Sequence, residues 1–421
     1  MASRIPADQA GYNSFTAPVP WAVNGVVLLI LVMVGRVQEF VPGLVGLPLA
    51  RLLFVVMVIL VVTSNGIMPE QPFSHPQIKA AVLLFALGCV SVLTSLWPSE
   101  SWRLMSREVL AVYIFGFFLV KTCASWPALR RISWALVATA TFLSVTTLAL
   151  HTSGRATLVG TAYDPNDLAF IVVVILPFFY FLLKDTRSKL VRLLLVSGIC
   201  TQVVTVMNTQ SRGGLIGLLV VTGAILIHEK VRPLPVVVMG SLLLVLFSYF
   251  APDGYWDRMS TIGKKDQDYN VAEQSGRLQV WKRGIGFMIN NPVLGVGPNA
   301  FAVADGESRG GLGKWSVAHN SFVQIGAELG ITGLVLFVSM LWSSLKSLKT
   351  ARTRLPPGSP EGNLLAAVEV GFYGFMASGF FLSQSYSTVL FLLVGLSAII
   401  TNLLRKTPLI AVNKGGGHVP V

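Results

Sequence analysis

Charge is what this 421-residue chain has little of: Asp, Glu, Lys and Arg make up 12% of it, against 53% hydrophobic residues. That scarcity excludes one soluble core, since there is too little polar surface to cover the apolar residues, and the mean hydropathy of +0.69 places them in a membrane. Cysteine is scarce too. Cys89, Cys123 and Cys200 lie within or at the ends of apolar runs without paired or metal-ligand spacing, which excludes a disulfide framework and leaves packing roles. No cleavable leader is expected either. Met1–Thr16 is polar, with no basic start and no small-residue cleavage site, so the first apolar helix is expected to stay as an anchor.

What is present is a series of apolar runs. Windows of ~17 to 22 residues, the length that crosses ~30 Å of hydrocarbon as a helix, can be laid down about twelve times. They fall at 17–35, 45–64, 78–97, 104–122, 129–150, 166–183, 189–207, 212–227, 234–250, 320–345, 364–381 and 388–404. The expected fold is therefore an all-α polytopic membrane protein, residues 1–421 forming a single integral membrane domain. An even number of spans puts both termini on one side. The basic connections Lys121–Arg131, Lys184–Arg192 and Lys346–Arg354 share that side, so the positive-inside rule makes the termini cytoplasmic. The formal charge of +13 is mostly this ordinary inner-side excess, and no nucleic-acid partner is expected.

The other side is distinguished by which cation it uses. Its short connections and helix ends carry Arg36, Arg51, Arg103, Arg107, Arg155 and Arg212, and no lysine. A planar guanidinium fork suits bidentate contact with phosphate or carboxylate, so an anionic ligand is expected there, although single interfacial arginines also snorkel to lipid headgroups. Even-numbered spans start on this side, presenting unpaired N–H groups and the positive end of the helix dipole. The sixth opens with Asp164-Pro165-Asn166-Asp167, a capping residue followed by proline at the first helical position. The eighth opens with Ser211-Arg212-Gly213-Gly214, whose glycines allow close approach of a partner. The tenth opens with His319-Asn320-Ser321.

Between the ninth and tenth spans runs a long polar segment, Ala251–Ala318, in a chain that otherwise keeps its loops short. Within it, 273–290 reads as an amphipathic helix with Leu278, Trp281, Ile285 and Met288 on one stripe, suited to lie on the outer leaflet as a lid. On this wheel Arg277 lies beside Trp281 and Arg283 points away, which makes Arg277 the candidate for a buried ligand and Arg283 the candidate for solvent. The run Gly295-Val296-Gly297-Pro298-Asn299 is expected to turn the loop back toward the membrane. In the tenth span Glu328 falls roughly opposite His319 on the wheel, so the two are not expected to act as a pair; a carboxylate there is either functional or held by hydrogen bonds. Asp266-Gln267-Asp268 has the spacing of a metal-holding carboxylate pair but no predicted strand, and His75, His151, His228 and His418 lack ligand spacing, so no metal site is expected.

These residues, in this order, make the chain resemble the O-antigen ligase and polymerase superfamily of bacterial membrane glycosyltransferases. The resemblance covers roughly residues 155 to 345, through Gly160-Thr161-Ala162-Tyr163-Asp164-Pro165-Asn166, Ser211-Arg212-Gly213-Gly214, Ser275-Gly276-Arg277 with Trp281, Gly295-Val296-Gly297-Pro298-Asn299 and His319-Asn320-Ser321-Phe322. It implies transfer of a glycan from undecaprenyl diphosphate to an acceptor hydroxyl at the periplasmic face of the inner membrane, with inversion and with neither metal nor nucleotide cofactor. It also implies that Arg212 and Arg277 bind the diphosphate and that His319 is a general base or a diphosphate ligand. Arg155, Asn166, Ser211, Trp281 and Asn320 are expected to contact substrate. The partners implied are a lipid-linked glycan donor, a glycolipid or glycan acceptor and membrane lipid. O-antigen ligase, repeat-unit polymerase and protein O-glycosylation ligase are not separated by these motifs. The rival class is a glycolipid flippase, whose twelve-span layout would be similar but whose charges are expected near the midplane in two related halves.

Overall fold

A computed structural model describes residues 20–63, 74–151, 154–157, 163–231, 276–311, 315–356 and 358–406. The described residues form helices and contain no strand. In chain order these are α1 (Pro20–Met33), α2 (Leu49–Thr63), α3 (Pro76–Ser91), α4 (Pro98–Arg103), α5 (Leu110–Thr122), α6 (Trp126–Leu150), α7 (Pro165–Asp185), α8 (Lys189–Asn208) and α9 (Arg212–His228). After a stretch outside the described residues come α10 (Arg277–Asn290), α11 (Phe301–Glu307), α12 (Ser321–Arg352), α13 (Pro360–Gly379) and α14 (Thr388–Lys406). A π-helical turn, Leu104–Val109, joins α4 to α5. Six helices are long and apolar enough to cross a membrane, namely α3 with its extension to Thr94, α6, α7, α8, α12 and α14, and α1, α2 and α9 are shorter apolar helices. The expected span at 234–250, the loop residues 251–275 with Asp266 and Asp268, and His418 lie outside the described residues.

Helix starts follow the capping chemistry visible in the chain. The side chains of Ser125, Asp164, Ser188, Ser211, Asn320 and Ser359 accept backbone N–H bonds at the starts of α6, α7, α8, α9, α12 and α13. At the centre stands α7, buried almost throughout and packed against α6, α8, α9 and α13. A helix apolar on every face has no side to turn to water, so it is enclosed by its neighbours.

One feature departs from an uninterrupted tenth span. Helix α12 is broken at Gly330, where φ is 73° and ψ is −173°, a conformation essentially confined to glycine. Into the break docks the turn after α10. Val296 N donates to Ala327 O at 2.9 Å, Gly297 N to Glu328 O at 3.0 Å, and Ile331 N to Pro292 O at 2.7 Å. The groups that lose helical partners are thereby satisfied, as an apolar surrounding requires. The same turn reaches the first half of the chain: Leu96 N donates to Val296 O at 3.0 Å and Ser101 Oγ to Pro298 O at 2.5 Å.

Glu328, beside the break, is fully enclosed by hydrogen bonds. Tyr386 Oη donates to its carboxylate at 2.8 Å, and the backbone amides of Asn299 and Phe301 and the Gln324 side chain also bond it. Of the two expectations for this residue, the hydrogen-bonded structural role is the one its partners describe.

Helix α10 differs from the sequence expectation in the face it buries. Val280 and Gly284 are buried against α12, with Trp281 and Met288 at the edge of the contact, whereas Leu278, Ile285 and Ile289 are exposed. Arg283, assigned to solvent by the wheel, instead pairs with the fully buried Asp305 at 2.6 Å. Asp305 also holds Arg309 at 2.7 Å and accepts from Ser316 N at 3.1 Å, which closes the segment between α10 and α12 on itself.

Candidate active site

The site is built where α7, α9 and α12 begin. Gln210 and His319, each immediately before an N-cap residue, adopt left-handed backbone, with φ of 49° and 46°. For residues other than glycine this conformation is uncommon and costs of order 1–2 kcal/mol per residue, so the surroundings must fix it. At His319 the fixing bond is visible. Its backbone N–H donates to Ser383 Oγ at 2.9 Å. Asn320 then caps α12, its Oδ1 accepting from Phe322 N at 2.9 Å and Val323 N at 3.1 Å.

Arg212 is the first residue of α9, half-buried behind the Ser211 cap, which accepts from Gly214 N at 3.2 Å. The paired glycines have a packing reason. A Cβ on Gly214 would stand 2.6 Å from Ala169 Cβ, and one on Gly213 would stand 2.9 Å from Phe381 Cβ, so the start of α9 touches α7 and the α13–α14 connection at backbone distance. Arg155 bridges the first two helix starts. Its Nε donates to Thr209 O and its Nη2 to Asn166 Oδ1, each at 2.9 Å.

The third start is tied in through Gln384. Its side chain donates to Asp167 Oδ1 at 2.6 Å, and its backbone N–H donates to Ser321 Oγ at 2.9 Å. Finally Trp281 of α10 donates Nε1–H to Ala318 O at 3.0 Å and packs edge-on against Phe380, ring centroids 5.4 Å apart. Arg277 lies one helical turn before Trp281 on the same face of α10 and is half-buried.

Arg155, Asn166, Ser211, Arg212, Trp281, His319 and Asn320 thus fall on one connected set of elements, with Arg277 on the same helix as Trp281, but their environments differ. Asn320 and Ser211 are each 2% exposed and are occupied as helix caps. They set the positions of His319 and Arg212 instead of facing an open space. Asn166 is engaged by Arg155. Of the other arginines on this side of the sequence, Arg36 pairs with Glu39 and lies over the Tyr163 ring, and Arg103 pairs with Glu100 and Glu108, so both already have anionic partners. Ser383, Gln384 and Asp167 were not anticipated. Only Asp167 left a signal, as the final residue of the Asp164-Pro165-Asn166-Asp167 motif.

No group of three or more His, Cys, Asp or Glu residues suited to a metal ion occurs among the described residues. An apolar groove of about 920 Å³ begins beside the site and runs between α9 and α13. Its α9 wall is formed by Ile216, Val220, Gly223 and Ile227, on the helical face that Arg212 heads. Phe380 and Phe381 stand at its mouth, and His228 with the Arg352–Glu369 ion pair lies at the opposite end.

The long apolar helices make this a multi-pass membrane protein. Residues 198–338 match the family model for O-antigen ligase, a region that runs from within α8 past the break in α12 and includes Arg212, Arg277, Trp281 and His319. That match supports a resemblance to the O-antigen ligase superfamily over this part of the chain. No curated protein matches the chain.

Proposed function

We propose that the chain is a glycosyltransferase that moves a glycan from a polyprenyl diphosphate to an acceptor hydroxyl, at the periplasmic face of a bacterial inner membrane, with both termini cytoplasmic. The observation that supports this reading is the course of α9: it starts at Arg212, beside Thr209 whose carbonyl Arg155 bonds, and its following turns form one wall of the α9–α13 groove. A lipid diphosphate has these two parts. Its charged head suits guanidinium groups and a helix amino terminus, and its hydrocarbon chain suits a groove whose wall extends roughly 16 Å along α9 from Ile216 to Ile227.

In the reaction the acceptor oxygen bonds the first sugar carbon as the bond from that carbon to the diphosphate oxygen breaks. The electron pair leaves with the diphosphate, and the acceptor proton passes to the imidazole of His319. Charge grows on the diphosphate as the bond breaks, so Arg212 and Arg277 act where stabilisation lowers the barrier most. Attack opposite the leaving group inverts the sugar carbon, and no step calls for a metal or nucleotide. Trp281, packed on Phe380 of the groove and bonded to Ala318 O, fixes the residue immediately before His319.

The test is transfer by the purified protein from a synthetic undecaprenyl-diphosphate oligosaccharide in the presence of EDTA, with products resolved by mass and His319→Ala run in parallel. Product that depends on His319 and survives EDTA is expected, and its mass separates a single transfer from polymerisation. Folded protein that binds the lipid and yields no product with any acceptor would sink the proposal in favour of transport.

A further inference from the structure

A second site is drawn at the other end of the molecule. Between the start of α3 and the ends of α12 and α14 lies a pocket of about 280 Å³. Its lining includes the cations Lys346, Arg354 and Arg405, the hydroxyls of Ser347, Thr350 and Thr401, and no carboxylate. We propose that this pocket binds a phosphate group, as a phospholipid headgroup or as the free anion, independently of the candidate active site, which lies roughly 40 Å of helical rise away along α12.

Among the described residues no carboxylate stands against the charge in this pocket, unlike the charge around it. At the same end of the bundle Lys184 lies 2.6 Å from Glu229, and Arg352 pairs with Glu369. A pocket of the same volume between α6, α7 and α13 sets Arg130 beside Asp185 and Glu361. By contrast, among the described residues the Arg354 guanidinium bonds the carbonyl of Leu404, at 2.9 Å, and neither Lys346 nor Arg405 has a carboxylate partner. Like charges gathered in one concavity repel, and a bound anion relieves that repulsion.

Two further observations favour phosphate at this place. The amino end of α3, at Pro76, lines the pocket and contributes the positive end of a helix dipole. Just before it, His75 is 3% exposed, its Nδ1 has no hydrogen-bond partner, and burial together with the Arg405 guanidinium pushes its pKa below the usual value. Arg405 thus acts on both the pocket and His75. The depth is also right for lipid phosphate, because Trp342, one turn before Lys346, is 70% exposed, as aromatic residues are at the level of the headgroups. Basic pockets between membrane helices are the expected seats of anionic headgroups.

The experiment uses the full chain in phosphatidylcholine nanodiscs. Melting temperature is followed while phosphatidylglycerol replaces part of the phosphatidylcholine, and in a separate arm while inorganic phosphate is added. Binding to the folded state raises the melting temperature by linkage. The proposal expects a rise in at least one arm, and roughly ten-fold weaker apparent binding in Lys346→Gln/Arg405→Gln, since each lost contact is charge-assisted. A rise with lipid alone assigns the site to a headgroup, and a rise with inorganic phosphate assigns it to the free anion. Lys349→Gln, an exposed lysine on the same helix outside the pocket, serves as the control. No rise in either arm, a rise unchanged in the double variant, or an equal loss in Lys349→Gln would overturn the proposal.

Discussion

Trp281 donates its indole N–H to the carbonyl of Ala318 at 3.0 Å, fastening the start of α10 to the residue immediately before His319. Helix α10 lies outside the apolar spans, yet this bond couples it to the strained backbone on which the imidazole is mounted. A neutral hydrogen bond of this kind contributes a net ~0.5–1.5 kcal/mol. Trp281→Phe keeps the ring packing on Phe380 and removes the donor, so transfer should slow by roughly 2- to 10-fold, in kcat more than in KM. Steady-state kinetics on the wild type and Trp281→Phe check this. An unchanged kcat in Trp281→Phe would mean that α10 covers the site without positioning His319.

Arg212 should be far less forgiving. Removing a group that stabilises developing charge costs about 10²–10³-fold in rate. We expect a fall of that order in Arg212→Ala, with the melting temperature unchanged because Arg212 lies at a helix start and is not part of the apolar core. Arg212→Lys should recover only part of it, since an ammonium keeps the charge and loses the bidentate fork. Kinetics and thermal melting on the same preparations make the comparison, and full activity in Arg212→Ala would remove the residue from the mechanism.

The helices around these residues were legible because apolar runs, serine and aspartate caps and first-position prolines act over a few neighbouring residues. The motifs around Arg212, Arg277 and His319 were legible for the same reason. What stayed hidden depends on distant partners. Ser383 and Gln384 acquire a role only because the α13–α14 connection folds onto the start of α12, and nothing near them in the chain announces it. The break at Gly330 is masked by the apolar residues on both sides. The misjudged face of α10 has a particular cause: Gly284 adds nothing to an apolar stripe, yet a Cβ there would lie 2.5 Å from Val323 Cγ1. Close approach at a glycine, together with Val280, decides which face is buried. The stripe of Leu278, Trp281, Ile285 and Met288 is therefore split, with Trp281 and Met288 at the edge of the contact and Leu278 and Ile285 exposed.

Glu328 supplies a stability prediction that separates structure from chemistry. Its carboxylate receives the Tyr386 hydroxyl and the amides of Asn299 and Phe301, and so joins the turn, the broken helix and the α13–α14 connection. Glu328→Gln replaces one acceptor oxygen by a donor and leaves a buried donor unpaired, at a cost of ~1–3 kcal/mol. A lower melting temperature is expected. Transfer measured well below that temperature should stay within a few-fold of wild type, because the bonds Glu328 makes go to Tyr386, Asn299, Phe301 and Gln324. A large loss of kcat in a protein that melts normally would contradict this assignment.

The groove between α9 and α13 can be tested without disturbing the polar site. Gly223 lines it, and a Cβ built there meets nothing within 4 Å, so a large side chain at this position enters open groove space instead of the protein. Gly223→Trp should therefore fold, and the gain of helix propensity over glycine favours it slightly. If a polyprenyl chain occupies the groove, the indole competes with it. Each buried methylene carries ~0.8 kcal/mol, so displacing even two or three isoprene units costs a donor much of its binding. The expected result is a strong rise in KM for a long-chain donor and little change for one whose chain ends before Gly223. Equal effects on both donors would mean that the substitution acts on folding or on the site itself. No effect on either would mean that the chain lies elsewhere, while transfer by the wild-type protein would still stand.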